Sequence, residues 1–172
     1  MNYVFVNGQI EYNGVKYNKL IPVYGTNYVI ATFKDSGLKA VANNRLLFIN
    51  TATNQKRKID FPKIVYIKSI EQVKIDSLGI NKIILATWTG YEKDKRIDLR
   101  ERQTRILILS TDGQEITPIT NDSLFVTGWA INSLNGIISI KGFYDTNKNQ
   151  KKDKADKSED LLFDLTTLKM IR

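Results

Sequence analysis

The stretch Asp145 to Asp156, DTNKNQKKDKAD, spaces oxygen-bearing side chains as a cation-binding loop does. A hard cation such as calcium takes about six to eight oxygens, which a loop of about twelve residues supplies from positions 1, 3, 5, 9 and 12, with a backbone carbonyl at position 7. The register gives Asp145, Asn147, Asn149, Asp153 and Asp156 as side-chain ligands and Lys151 through its carbonyl. Three departures weaken the fit. Gln150 stands where a glycine allows the sharp turn, Asp156 is shorter than the usual bidentate glutamate, and Lys148, Lys151, Lys152, Lys154 and Lys157 crowd the segment. Five lysines offset five acidic residues between Asp145 and Asp160, so any calcium affinity is expected to be weak and salt-sensitive. The competing readings are a solvated charged loop and a site for another oxygen-loving cation such as magnesium.

Little other chemistry is open to this chain. It contains no histidine and no cysteine, which removes thiol nucleophiles, disulfides, imidazole or thiolate metal sites and histidine-activated serines. Carboxylate, lysine and tyrosine chemistry remains, but no spacing identifies a facing carboxylate pair, and the lysines lie in polar surroundings. The reading is therefore a non-enzyme, with a carboxylate-based hydrolase as a distant third possibility.

The elements that must carry the loop read as strands. At 172 residues with 42% apolar content the chain suffices for one domain, residues 1–172, and no apolar run approaches the roughly 20 residues of a membrane helix. Short β-branched and aromatic runs recur, including NYVIATF, RLLFI, KIILATW, RILILS, GIISIKGF and DLLFDL. Turn signals stand at Asn7-Gly8, Asn13-Gly14, Asp112-Gly113 and Asn135-Gly136. This predicts an all-β, antiparallel protein, with IISIKGFY and LLFDL making the candidate loop the tip of a β-hairpin.

The runs repeat. Segments starting at Tyr28, Ile83 and Ile137 lie 55 and 54 residues apart, and each is followed by a charged insertion and two further strands. Each unit thus reads as a four-stranded meander, with boundaries near residues 14–63, 64–120 and 121–172 and a partial unit at 1–13. About three and a half blade-like repeats suggest a propeller-like arrangement, with a sandwich or barrel as the alternative. Propellers usually have about four to eight blades, so free sheet edges are expected to meet a protein partner or a second copy.

The third unit, NGIISIKGFYDTNKNQKKDKADKSEDLLFDLTTLKMI, is similar to blades of TolB-like and related β-propeller proteins of the bacterial cell envelope. There a strand runs into a D-x-N-x-D/N loop and returns as an apolar, aromatic, Asp-Leu element. TRILILSTDGQEITPIT in the middle unit resembles the paired element of such blades. The resemblance spans about residues 80 to 172 and implies a repeat β protein used for binding or assembly, with calcium in a blade loop.

The opening MNYVFVNGQIEYNG lacks a secretory pattern, which leaves either a cytoplasmic protein or an envelope protein whose leader lies upstream of Met1. The charge of +8 raises the runner-up reading, a basic barrel or sandwich binding an anionic ligand such as nucleic acid through Lys56, Arg57, Lys58, Arg100, Arg102 or Arg105. Asp94, Asp98 and Glu101 interrupt the densest basic stretch, and no nucleic-acid motif accompanies it. The equivalent insertions of the other units keep Glu92, Asp94 and Asp98 in one and only Asp35 in the other, and read as charged loops. Trp88 and Trp129, with Tyr24, Tyr28, Tyr66, Tyr91 and Tyr144, could line a ligand face, but packing between sheets is the preferred reading.

Overall fold

A computed structural model describes residues 10–12, 15–17, 19–32, 44–61, 66–93, 96–147, 149 and 152–171; for 10–12, 15–16, 90–93 and 96–102 the backbone alone is described. The chain is all-β and antiparallel. A two-stranded ribbon, β1 (Ile10–Tyr12) with β2 (Val15–Tyr17), precedes three four-stranded sheets. The first sheet comprises β3 (Lys19–Pro22), β4 (Tyr28–Thr32), β5 (Arg45–Asn50) and β6 (Lys56–Asp60). The middle sheet comprises β7 (Tyr66–Ile75), β8 (Ile80–Lys93), β9 (Arg96–Ser110) and β10 (Ile116–Pro118). The third comprises β11 (Leu124–Asn132), β12 (Ile137–Tyr144), β13 (Lys157–Asp164) and β14 (Lys169–Met170). In every sheet each strand pairs with its neighbours in sequence, so each is a simple meander.

The sheets stack face to face, and the apolar pattern of each strand shows which faces are covered. In the middle sheet Ile83, Leu85, Leu107 and Leu109 pack with Ile30, Leu46 and Phe48 of the first sheet. The alternate residues Ile84, Ala86, Ile106 and Ile108 pack with Leu124, Ile138, Ile140 and Phe163 of the third. Burial on both faces explains the unbroken apolar runs IILA and ILIL, because neither side chain direction meets water. The third sheet meets another sheet on one face: in β12, Ile138 and Ile140 pack into that core, while on the other face Ser139 and Lys141 are exposed and Phe143 is buried against Phe125. Tyr17 of the ribbon covers Ala31 and Leu47 on the far face of the first sheet.

The turns lock neighbouring sheets together. Left-handed residues recur at Gly25, Gly79 and Gly136 between the first two strands of each sheet, and at Asn54, Gly113 and Leu168 between the last two. A Cβ at Gly113 would lie 2.7 Å from the Phe48 ring of the first sheet, and one at Gly136 would lie 2.5 Å from Ile80 of the middle sheet. Gln72 of β7 accepts from the Tyr24 N–H at 2.8 Å and donates to its carbonyl at 2.8 Å. These contacts align the same ends of all three sheets. The β8–β9 and β12–β13 connections therefore leave from the opposite end, while residues 33–43, between β4 and β5, lie outside the described residues. There β8 and β9 continue beyond the last β7 pair, Tyr66 with Trp88, to Lys93 opposite Arg96, forming a two-stranded arm.

Candidate functional site

The residues 145–156 connect β12 to β13 at the arm-bearing end, with Tyr144 paired to Lys157 across the mouth of the hairpin. All five side-chain ligands read from the sequence meet in one network. Asp145 Oδ1 and Asn147 Oδ1 both accept the Asn149 backbone N–H at 3.1 Å. Asp153 Oδ2 accepts the Asn147 amide at 2.8 Å and the Asn149 amide at 2.6 Å, while its Oδ1 accepts the Ala155 N–H at 2.8 Å. Asp156 closes the loop by accepting the Thr146 N–H at 3.1 Å and the Asp153 N–H at 2.8 Å. Lys151, with Lys148 and Gln150, lies outside the described residues, as do Asp94 and Asp35 of the other two insertions.

The electrostatics of the loop centre on Asp153. Hydrogen bonds from the Asn147 amide, the Ala155 N–H and the Asn149 amide favour its ionised form and hold its pKa below the usual carboxylate value. The group's folded pKa is depressed, so its contribution to loop order is complete above the unfolded value and is lost as pH falls through the folded one. The side-chain amide resonances of Asn147 and Asn149 are accordingly expected to stay dispersed through the ordinary carboxylate range and to collapse only below it. Collapse at the ordinary value would show that Asp153 is not held by these amides.

Among the described residues no three carboxylates gather at one point, so the asparagine oxygens would have to complete any metal shell. Beside the loop opens a cleft of about 920 Å³, floored by residues including Ile119 and Phe163 and rimmed by Asn121, Tyr144, Lys157 and Glu159. Its charges are internally matched: Lys157 pairs with Glu159 at 2.9 Å and lies 5.9 Å from the Tyr144 ring centroid. The Asn121 amide donates to the Tyr144 hydroxyl at 3.3 Å, and Asn121 Oδ1 accepts the Ser123 and Leu124 N–H groups, both at 2.9 Å. The loop is thus one residue from a polar chain that reaches the start of β11. Sequence reading missed this link because Asn121 and Tyr144 come together only when the third sheet folds.

The basic residues named for anion binding do not form one free cluster among the described side chains. Lys58 pairs with Asp60 at 3.0 Å and Arg105 with Asp122 at 2.8 Å, while the side chains of Arg100 and Arg102 lie outside the description. The aromatic residues mostly pack. Trp129 and Tyr144 lie against the core between middle and third sheets, Tyr28 lies against the core between first and middle sheets, and Tyr66 and Trp88 pair with ring centroids 5.4 Å apart. Tyr24 is 70% exposed at a turn, and the Tyr91 side chain is outside the description. No helix among the described residues is long and apolar enough to cross a membrane. No protein-family model matches the chain, and no curated protein matches it significantly.

Proposed function

We propose that this protein is a non-enzymatic β-repeat module for binding or assembly, resembling part of a TolB-like propeller, whose contacts are made from the loop-bearing end of its stacked sheets. The observation that carries this reading is the shared end: the arm and the candidate loop project from the same side of a rigid scaffold, where variable connections can meet a partner without disturbing the core. The recurrence of left-handed residues at matching turns supports blade-like repetition. The Lys141–Asp160 pair on the outer face of the third sheet suits an open arc better than a closed ring, because a further blade would bury both charges.

In this reading the Asp145–Asp156 loop takes calcium. A cation would replace the two amide donors as counter-charge to Asp153, with Asn147 and Asn149 turning oxygens inward and Asp145 and Asp156 closing the shell. Its role would be to fix the hairpin tip and, through Tyr144, the entry to β11. Thermal unfolding in calcium, magnesium or chelator tests this, on the natural protein and on Asp145→Ala with Asp153→Ala. A calcium-specific rise in Tm that the double variant loses is expected; calcium at 100 times its Kd would add about 2.7 kcal/mol. An unchanged Tm at millimolar calcium would reduce the segment to a charged hairpin tip.

A further inference from the structure

Asn135-Gly136, in the turn between β11 and β12, carries a chemistry of its own. In an asparagine-glycine pair the glycine nitrogen can attack the asparagine side-chain carbonyl carbon, because glycine has no side chain to obstruct the approach. The new C–N bond closes a succinimide, and the side-chain nitrogen leaves as ammonia with the proton that the backbone amide gives up. Water then opens the ring. Opening at one carbonyl gives aspartate; opening at the other gives isoaspartate, whose main chain passes through the former side-chain carbons and is longer than before. Of the other Asn-Gly pairs in the sequence, Asn7-Gly8 and Asn13-Gly14 lie outside the described residues.

In the folded protein both reacting groups are engaged. The Gly136 N–H donates to the Asn132 carbonyl at 2.9 Å, and the Asn135 side-chain carbonyl accepts the Ile137 N–H at 3.2 Å. The first bond occupies the nitrogen that must attack, and the second fixes the side chain that must receive it. The turn itself is pinned against the middle sheet. Gly136 is buried at φ 68°, a Cβ there would lie 2.5 Å from Ile80 and 3.1 Å from Leu78, and its carbonyl accepts the Leu165 N–H at 2.9 Å. We propose that Asn135-Gly136 is a latent modification site: the seated turn suppresses deamidation, and isoaspartate formed while the turn is open prevents it from seating again. Aspartate at this position keeps an oxygen for the Ile137 N–H. Isoaspartate lengthens the main chain where Gly136 has no room against Ile80, so it cannot keep its bonds to both Asn132 and Leu165. The damage therefore comes from chain length, not from the new charge.

The test uses the full chain with Asn7→Gln and Asn13→Gln, which leaves Asn135 in the sole Asn-Gly pair. It is incubated at mildly alkaline pH with and without enough urea to unfold it, and peptide mapping by mass spectrometry follows conversion at Asn135. Conversion is expected to be at least about tenfold faster in urea, because in the native chain it must await opening of the turn. The same peptides report Asn135 in the natural chain, so the rate comparison stands even if the two glutamines disturb folding. The isoaspartyl chain, isolated and refolded, should melt below its parent, whereas Asn135→Asp in the same background should melt as the parent does. Equal rates with and without urea, no conversion in urea, or an isoaspartyl chain that melts with its parent would each overturn the proposal. An equal loss of Tm in Asn135→Asp would also overturn it, since charge alone would then account for the effect.

Discussion

Gly113→Ala is expected to lower stability by about 2–4 kcal/mol, combining the cost of a left-handed alanine with that of forcing a methyl group into a packed contact. The residue has φ 70°, and the added carbon would lie 2.7 Å from the ring of Phe48, which is fully buried between the first and middle sheets. An aromatic ring held on several sides cannot step aside as an aliphatic chain end can. Gly136→Ala should therefore cost less, although its φ is 68°, because its nearest neighbour is the terminal carbon of Ile80. Phe48→Ala alone should cost about 3–5 kcal/mol as a cavity. Combined with Gly113→Ala it should cost less than the two single losses together, since the new methyl enters vacated space while the backbone strain persists. Denaturant unfolding of the four proteins measures this, and strictly additive losses would mean that turn and ring do not press on each other.

A charge in the middle sheet should be worse still. Ile84 and Leu85 are adjacent and both fully buried, one directed to the third sheet and the other to the first. Aspartate at either position would place an unpaired carboxylate between sheets, at a cost on the order of 5 kcal/mol or more, enough to unfold a domain of ordinary stability. Ser139→Asp, on the outer face of the third sheet, should change stability by no more than about 0.5 kcal/mol. Circular dichroism and soluble yield give the comparison. Tolerance of Leu85→Asp together with loss of folding in Ile84→Asp would show that the first sheet does not cover the middle one.

The same contrast explains what could be read in advance. Continuous runs such as Ile83 to Ala86 and alternation such as Ile138-Ser139-Ile140-Lys141 differ in sequence because the former strand is dry on both faces and the latter on one. Asp112-Gly113 and Asn135-Gly136 were legible as turns because glycine reaches positive φ without a Cβ penalty. Leu168 was not: it holds φ 56° in the matching turn of the third sheet, where packing against the core outweighs its local preference. The candidate loop was legible in its residue spacing but not in its hydrogen bonds. Nothing in DTNKN shows that both asparagine amides turn toward Asp153, since their orientation depends on where the returning strand places that carboxylate.

Strands that pair only with their sequence neighbours also shape the route to this structure. Each ladder closes a short stretch of chain, so little entropy is lost before its first contacts form, and the meanders can assemble as local units before they stack. Backbone amides should then exchange with solvent hydrogen in a graded order, slowest along the central strands of the middle sheet and fastest at the two-residue β14, so that the layer order of the fold is written in the exchange times of its amides.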